Sequence, residues 1–473
     1  MNIILVTTEC LPFASTNDLA DLVSKLAKDI EKEGHNVKVV LPRYGFIDPA
    51  NFYIERLPSE FKFKFNDKLI VASAFKGILP ESLVNVLFIE SQNYFSNSKD
   101  IYLATDYENE ERSRFFSHAT LEVIDKLKLF PDIVHFFNPN TAAIATLLAS
   151  NQQENLSNIK QVFTIHDLLN FKPFRTDTLN AIKYSDYVTT FSNGYAHELL
   201  SSTQNPNLST LLFEKKDHFW GQLIGIDEYE YNPETDRTIA QTYSKNYFTA
   251  GKRKCKEDLL SQLNLEVNPQ IPLFSIISKI NEDEGLDKLL GSLPSLLSCN
   301  LQLIIHGKGD YNYEKELLNL SSKHKNLHVC IGHNRSLSKK IYAGSDFLIY
   351  LPDSLKNNSS GLSILTAMKY GCVPLAPLSY AAKDIIVDIN TSDSGNGIVL
   401  KSDRKDDLID SINVATRYYK NKDLWPKFVK EVMSFDSNKL NTVNRYVDCY
   451  KNLSANVYHW MAFKIVFGKM VYT

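Results

Sequence analysis

Short apolar runs that alternate with helical repeats are the feature of this chain that most restricts its fold. The first example joins the strand Ile3–Val6, a helix with one apolar face, and the strand Val37–Leu41. Asp18 is expected to cap this helix and Gly34 to end it. A strand, a helix and a strand in this order form a right-handed crossover, so the pattern predicts a parallel sheet.

The same alternation continues in two halves of the chain. In the first half, the further predicted strands are Val84–Ile89, Ile133–Phe137, Gln161–Ile165 and Tyr187–Phe191. In the second half, the predicted strands are Leu273–Ile277, Leu301–Ile305, Leu327–Ile331, Phe347–Leu351 and Val373–Ala376, and the predicted helices are Leu286–Leu297, Tyr313–Lys323, Ser338–Gly344 and Leu362–Tyr370. This pattern predicts an α/β protein with two doubly wound, Rossmann-like domains. Ligands are expected at the carboxyl ends of the strands and in a cleft across which the two domains face each other.

The length of 473 residues suits two domains. An irregular segment around Asn232-Pro233-Glu234 marks the junction, which predicts an N-terminal domain over residues 1–235 and a C-terminal domain over 236–453. Residues 454–473 are rich in large apolar side chains and are predicted to form a C-terminal helix. That helix either packs on the body of the protein or offers a surface to a partner.

Composition narrows the class of protein further. The formal net charge of −3 argues against a general affinity for nucleic acid. The sequence contains no run of about 18 consecutive apolar residues, so no membrane-spanning helix is expected. The six cysteines show neither CxxC spacing nor clustering with histidine, so we expect reduced thiols in a cytoplasmic protein and no metal site. No GxGxxG motif follows the first strand, so no dinucleotide cofactor is expected either.

A set of short segments occurs in an order that is typical of one family. These segments are Thr8–Ala14, Leu19–Val23 and Leu41–Gly45; Phe163–Leu168, similar to FT-V/I-HN; Gly225–Asp227 with Tyr231–Asp236, similar to NGID…WNPxxD; and Gly307–Asp310, Ile331–His333, Ser360–Leu362 and Ala367–Pro374. Through them the chain resembles the bacterial glycogen synthase and starch synthase family. The resemblance implies GT-B architecture, with an acceptor-side N-terminal domain and a nucleotide-sugar-side C-terminal domain. It also implies that basic residues and helix N-termini, without a metal, bind the donor phosphates.

The chain departs from that family where the family's chemistry lies. The KTGGL loop reads Ser15-Thr16-Asn17-Asp18-Leu19, so Ser15 replaces a lysine, and Asn17 and Asp18 replace two glycines. Aspartate adds bulk and a repelling charge where a glycine lets the backbone approach a phosphate. The HDW segment has Asn138 in place of its acid, and an amide cannot act as a base.

Three more departures fall in the second half. The segment SR…QKG, whose Arg and Lys clamp the diphosphate in the family, has Lys279 and Glu284 at these positions. Lys279 keeps a positive charge without the bidentate fork of arginine, and Glu284 reverses a charge. The EPCGL segment has Asn358 where the family has a glutamate thought to face the donor sugar. The TGGL loop reads Ser379-Tyr380-Ala381-Ala382.

Six residues remain as candidates for donor binding. They are His166, Lys279, His333, Ser360, Gly361 and Leu362. His166 is equally well interpreted as a strand-end histidine that donates to a carbonyl. His333 lies where the family places a tyrosine against the nucleotide base, but it is better interpreted as a surface-loop histidine than as a ring stacked on that base. Gly361 opens a helix whose free N–H groups either bind an anion or simply begin that helix.

Two functions follow from this balance of matches and departures. The first is a divergent member of the family with degenerate site motifs, in which glucosyl transfer is impaired or lost and a cleft remains for a glycan, a nucleotide or a protein partner. The four replaced positions Ser15, Asn138, Glu284 and Asn358 favour this hypothesis. The second is an active retaining glucosyltransferase that moves glucose from ADP-glucose or UDP-glucose onto an α-glucan, and the preserved fold landmarks favour it.

Overall fold

The computed structural model describes residues 1–150, 156, 158–168, 175–203, 205–351, 360–392, 394–401, 404–437 and 443–455, without the side chain of residue 283. The chain divides into two compact units. Unit 1 contains Met1–Ile224 and a C-terminal helix over residues 443–455, and unit 2 begins at Gly225. Both units are α/β structures built on a largely parallel sheet, as the alternation of strands and helices predicts.

The bounds of the two units differ from the domains 1–235 and 236–453 expected from the sequence. Residues 225–235 belong to unit 2, where the side chain of Arg335 donates to the hydroxyl of Tyr231 at 2.7 Å and Lys339 pairs with Glu230 at 2.7 Å. Residues 443–453 belong to unit 1 because their helix packs on its sheet. Of the predicted helix over 454–473, residues 456–473 lie outside the described residues.

Unit 1 is built on a nine-stranded sheet. Its strands are β1 Asn2–Val6, β2 Asn36–Pro42, β3 Glu55–Phe65, β4 Lys68–Ile78, β5 Asn85–Glu90, β6 Ile133–Phe137, β7 Lys160–Ile165, β8 Tyr187–Thr190 and β9 Phe219–Gly221. Its helices are α1 Leu19–Lys32, α2 Asp106–Lys126, α3 Ala143–Ser150, α4 Arg175–Tyr184, α5 Asn193–Ser201 and α6 Pro206–Glu214, with shorter turns at Gln92–Ser96, Pro139–Thr141 and Lys216–His218. The strand order is β3-β4-β5-β2-β1-β6-β7-β8-β9, and β4 runs in the direction opposite to the other named strands.

The antiparallel hairpin of β3 and β4 is an element that the sequence analysis missed. Asn66 and Asp67 form its turn with φ values of 49° and 57°, the left-handed conformation that two-residue hairpin turns require. In β3, Phe61, Phe63 and Phe65 are buried while the residues between them are exposed. That alternation was a readable signal for a half-buried strand.

Unit 2 is built on a six-stranded parallel sheet of order β12-β11-β10-β13-β14-β15. Its strands are β10 Leu273–Ile277, β11 Gln302–Gly307, β12 Leu327–Ile331, β13 Phe347–Ile349, β14 Val373–Pro377 and β15 Ile398–Leu400. Its helices are α7 Phe248–Gln262, α8 Leu286–Leu297, α9 Tyr311–Lys323, α10 Arg335–Gly344, α11 Leu362–Lys369, α12 Ala382–Ile385, α13 Lys405–Lys420 and α14 Trp425–Ser434, with a 3-10 turn at Glu282–Glu284. Strands β11 and β13 are buried along their whole length, and β10 is buried except at Ile277, as expected for a parallel sheet that helices cover on both faces.

A buried histidine fastens the C-terminal helix to the sheet of unit 1. Nδ1 of His135, on β6, lies 2.6 Å from the hydroxyl of Tyr450, and its Nε2 lies 2.5 Å from Oγ1 of Thr164 on β7. The ring also stacks on Tyr446. Burial lowers the pKa of His135 to about 3, so the imidazole is neutral in the folded protein.

This low pKa predicts a pH dependence of stability. An unfolded histidine titrates near pH 6.5, so below that pH the unfolded chain binds a proton that folded His135 rejects. Its contribution to the free energy of unfolding is therefore complete above about pH 6.5 and falls toward pH 3, by up to about 1.4 kcal/mol per pH unit. Urea unfolding at pH 7, 6 and 5 should show a flatter dependence for His135→Gln than for the unmodified protein. His197→Gln, which changes an exposed histidine of α5, is the matched control. Equal slopes for the unmodified protein and His135→Gln would contradict the assignment.

Candidate functional site

Each unit carries a cluster of polar side chains at the carboxyl ends of its strands. In doubly wound sheets this edge is where ligands bind, because several strand ends and helix starts meet there. In unit 1 the cluster consists of Glu9 after β1, Asn138 after β6, and His166 and Asp167 after β7.

Glu9 organises the loop that follows the first strand. Its buried carboxylate accepts hydrogen bonds from the backbone amide of Thr16, from Oγ1 of Thr16 at 2.9 Å, and from the amide and Nδ2 of Asn17 at 3.3 and 3.0 Å. The hydroxyl of Tyr102 donates a further hydrogen bond at 2.6 Å. The backbone N–H groups of Thr16 and Asn17 are therefore bound within the protein.

Asn17, and not Asp18, caps α1. Oδ1 of Asn17 accepts a hydrogen bond from the amide of Leu19 at 2.9 Å, whereas the side chain of Asp18 makes no capping hydrogen bond. The expectation for Asp18 was wrong because its backbone is already helical, with φ −61° and ψ −23°, and a capping side chain needs a more extended backbone. Ser15, at the start of the loop, is exposed.

Asn138 ties the end of β6 to the end of β7. Its Oδ1 accepts hydrogen bonds from the backbone amides of His166 at 2.8 Å and Asp167 at 3.2 Å. Its Nδ2 donates to Oδ2 of Asp167 at 3.5 Å. The residue is buried and has a positive φ of 65°. The amide that replaces the family's acid therefore holds two strand ends together.

His166 and Asp167 form a buried pair beside Asn138. Nδ1 of His166 lies 2.9 Å from Oδ2 of Asp167, so the ring bonds to a carboxylate and not to a carbonyl. Its Nε2 is buried and has no hydrogen-bond partner among the described residues. Glu9 and Asp167 are site residues that were not predicted from the sequence. The signal was an acidic side chain just beyond a buried strand, and Asp167 also stands where the FT-V/I-HN pattern has asparagine.

In unit 2, the pairing of β10 with β11 places two lysines side by side. The parallel register of β10 and β11 continues beyond both strands to a bridge between Ile280 and Gly309. Lys279 and Lys308, each one residue before this bridge, therefore occupy paired positions on adjacent chain segments. The amide of Ile280 donates to the carbonyl of Lys308 at 3.2 Å. Within the described part of the chain, neither lysine forms an ion pair. Lys308 is a site residue that the sequence analysis missed.

Two glycines allow this close approach of the strand ends. A Cβ atom on Gly307 would lie 1.9 Å from the carbonyl oxygen of Ser278, and one on Gly309 would lie 2.2 Å from that of Ile280. Both distances are far inside van der Waals contact. Glycine is therefore required at both positions for the two lysines to be neighbours.

His333, after β12, lies near both lysines. Partial desolvation, together with the positive charges of Lys308 and Lys279, lowers the pKa of His333. The structure thus brings together two of the predicted donor-binding residues, Lys279 and His333, and adds Lys308. We call these three residues the basic cluster. Their chemistry suits an anionic ligand such as a diphosphate.

Glu284, the acid that replaces the family's lysine, lies at the same end of β10. The amide of Glu284 donates to Oδ1 of Asn281 at 3.2 Å, and the residue lines a small cavity together with Ser278 and Tyr350. An acidic side chain therefore accompanies the basic cluster at this strand end. Asn358 lies outside the described residues.

The start of α11 needs a glycine. Gly361 has a φ of 64°, and a Cβ atom there would lie 2.9 Å from Cβ of Ala381. The buried Ser360 accepts a hydrogen bond on Oγ from the amide of Leu362 at 3.2 Å. In the neighbouring loop, Tyr380 has a φ of 50°, a conformation that glycine adopts without strain. Tyr380 therefore keeps a backbone conformation suited to the glycine of the family's TGGL loop.

Among the residues that the structure describes, no group of three or more His, Cys, Asp or Glu side chains is arranged to hold a metal ion. The described helices also include none that is long and apolar enough to cross a membrane.

Two α/β units, each built on a largely parallel sheet, are the architecture of glycosyltransferases with the GT-B fold. The profile of the starch synthase catalytic domain matches residues 2–214, and that of glycosyl transferases group 1 matches residues 262–424. The chain belongs to the glycogen synthase and starch synthase family.

Similar proteins align over almost the whole chain. A glycogen synthase of Clostridium kluyveri is 31% identical over 487 residues, which cover 96% of this chain and 100% of that protein. A glycogen synthase of Clostridium botulinum is 30% identical, with the same coverage. The catalytic domain of starch synthase IV from Arabidopsis thaliana, bound to ADP and acarbose, has a TM-score of 0.87 at 23% identity and covers 96% of this chain and 99% of that one. This last likeness shows that the fold is shared.

The contact at Gly307 predicts the effect of a single methyl group. Gly307→Ala should lower the free energy of unfolding by about 2 kcal/mol, because the end of β10 must move away from the added Cβ. Gly291→Ala is the matched control, since no atom lies within 4 Å of its added Cβ and alanine favours the helix α8. Urea unfolding followed by circular dichroism measures both. A Gly307→Ala protein as stable as the unmodified one would contradict the close packing of these strand ends.

Proposed function

We propose that this protein is an active retaining glucosyltransferase of the glycogen synthase type, which moves glucose from ADP-glucose or UDP-glucose onto an α-glucan. The observation that carries the proposal is the basic cluster, in which Lys279 and Lys308 are neighbours at the ends of β10 and β11. The glycogen synthases that align with 96% of the chain support the same function.

The basic cluster suits the donor side of the reaction. When the glucosyl–phosphate bond breaks, negative charge develops on the departing nucleoside diphosphate. Fixed positive groups that face this charge lower the barrier, because they need no reorganisation as the charge appears. A lysine about 4 Å from a phosphate oxygen contributes roughly 4 kcal/mol at an effective dielectric constant near 20. Lys308 is therefore well suited to offset the repulsion that Glu284 introduces.

His166 suits the sugar. Its Nε2 is buried and has no hydrogen-bond partner among the described residues, and leaving such an atom unpaired costs about 1–3 kcal/mol. A sugar hydroxyl group supplies the missing partner. We therefore assign His166 to contact with a glucosyl hydroxyl, while Asn138 holds the backbone of the strand end that carries it.

Of the two hypotheses drawn from the sequence, the comparisons favour active transfer over its loss. The hypothesis of loss depended on the replaced site positions, and at one of them the side chain of Asn138 makes three hydrogen bonds. We also propose a cytoplasmic location, because all six cysteines are free thiols, which is typical of a reducing compartment.

Incorporation of radiolabelled glucose from ADP-glucose or UDP-glucose into glycogen tests the proposal. We expect the unmodified protein to incorporate glucose from at least one of these donors. Lys279→Ala and Lys308→Ala should each lower kcat/KM by roughly a hundredfold, because each removes a positive charge that the transition state uses. Lys325→Ala, which removes an exposed lysine before the opposite end of β12, is the control and should keep full activity.

The contrary outcome is equally clear. If the unmodified protein binds ADP in calorimetry but transfers no glucose from either donor, glucosyl transfer has been lost and the first hypothesis is correct. If Lys279→Ala and Lys308→Ala match Lys325→Ala in activity, the basic cluster does not bind the donor.

A further inference from the structure

One carboxylate oxygen of Asp167 faces two nitrogen atoms. Oδ2 of Asp167 lies 3.5 Å from Nδ2 of Asn138 and 2.9 Å from Nδ1 of His166. All three residues are buried: Asn138 is 2% exposed, Asp167 4% and His166 3%. Two nitrogen atoms therefore share a single buried carboxylate oxygen.

The orientation of the Asn138 amide is determined by the backbone. Its Oδ1 accepts hydrogen bonds from the amides of His166 and Asp167, so its NH2 group must be the end that faces Asp167. The shared oxygen of Asp167 consequently acts as an acceptor toward Asn138. An ionised carboxylate has no hydrogen to donate, so it must also be the acceptor toward His166.

We propose that Asp167 is a positioning residue that holds the hydrogen of His166 on Nδ1 and so makes Nε2 a hydrogen-bond acceptor. In this tautomer Nε2 presents a lone pair and binds a ligand group that donates a hydrogen. Under the function proposed above, on which this step rests, that group is a hydroxyl of the sugar. The buried Nε2 without a partner among the described residues is the atom that receives it.

Exchanging the acid and the amide should reverse the role of the histidine. In the double variant Asn138→Asp/Asp167→Asn, the carboxylate at position 138 still accepts the two backbone amides. The carboxylate of residue 138 has no hydrogen to donate, so residue 167 must supply the donor. The side-chain amide of residue 167 therefore turns its NH2 group to the position that Oδ2 of Asp167 occupies in the unmodified protein. Nδ1 of His166 then faces a donor and becomes an acceptor, and the hydrogen moves to Nε2. The family's HDW segment has the acid and its FT-V/I-HN segment has the amide. This chain has the reverse order, with Asn138 and Asp167, so the double variant restores the family's arrangement.

The single variants separate charge from hydrogen-bond direction. Asp167→Asn keeps an oxygen at the shared position, because the NH2 group of Asn138 still requires an acceptor there. It should therefore keep the hydrogen of His166 on Nδ1 while removing the charge. Asn138→Asp places a second buried carboxylate against Asp167 and should lower the thermal midpoint without changing the tautomer.

Nuclear magnetic resonance of the unliganded protein, with ¹⁵N-labelled histidine, tests the proposal without substrate. At pH 8, long-range ¹H–¹⁵N spectra distinguish the two neutral tautomers and the doubly protonated ring. The His166→Gln variant identifies the signals of His166 among the 11 histidines. We expect hydrogen on Nδ1 in the unmodified protein and in Asp167→Asn, and on Nε2 in the double variant. Hydrogen on Nε2, or on both nitrogens, in the unmodified protein would overturn the proposal.

Kinetics with ADP-glucose, UDP-glucose and glycogen provide the second readout. The double variant should keep a thermal midpoint near that of the unmodified protein, because residues 138, 166 and 167 make the same number of hydrogen bonds with one another. Its kcat/KM should change by at least about tenfold, because the sugar hydroxyl must then accept a hydrogen bond from Nε2 and direct its own hydrogen to another partner. Unchanged kcat/KM with a reversed tautomer would refute the role in sugar binding. A protein that transfers no glucose at all would contradict the proposed function and leave the tautomer measurement to decide the role of Asp167.

Discussion

Parallel pairing of buried strands is the constraint on which the rest of this structure depends. It aligns the carboxyl ends of β1, β6 and β7 in one unit and of β10, β11 and β12 in the other. The polar residues that follow these strands are then neighbours although they are far apart in the chain, as are Glu9, Asn138 and His166. Short connections to the helices leave little freedom in where these side chains lie.

The strand ends of unit 1 must satisfy the charges that they bury. A buried carboxylate is tolerated only when donors surround it, and both carboxylates of this cluster meet that condition. Glu9 receives its donors from the loop of Thr16 and Asn17 and from Tyr102. Asp167 receives its donors from Asn138 and His166. The same hydrogen bonds that make burial possible therefore also determine the shape of the site and the direction in which His166 presents its ring nitrogens.

The surroundings of three residues that depart from the family's motifs show what each replacement preserves. Asn138 replaces the family's acid, but its side-chain oxygen binds two backbone amides. The carboxylate of Asp167 accepts a hydrogen bond from the same side chain. Tyr380 replaces a glycine of the family's TGGL loop but keeps a positive φ. Lys308 adds a positive charge at the strand end where Glu284 adds a negative one. Each replacement, considered alone, suggests a damaged site, whereas together with its neighbours it preserves a local geometry or charge.

Sequence by itself determined the α/β class, most strand positions, and membership of the family, because buried parallel strands are continuous apolar runs and glycines mark close backbone contacts. It did not reveal the β3–β4 hairpin, whose alternating Phe61, Phe63 and Phe65 were overlooked, or that residues 443–453 belong to unit 1. The partners of Glu9, the neighbouring positions of Lys279 and Lys308, and the oxygen that His166 shares with Asn138 were decided only by the tertiary structure. The physical reason is that these contacts join residues from different strand ends, and a hydrogen bond or a charge pair depends on distance in space, which spacing along the chain does not specify.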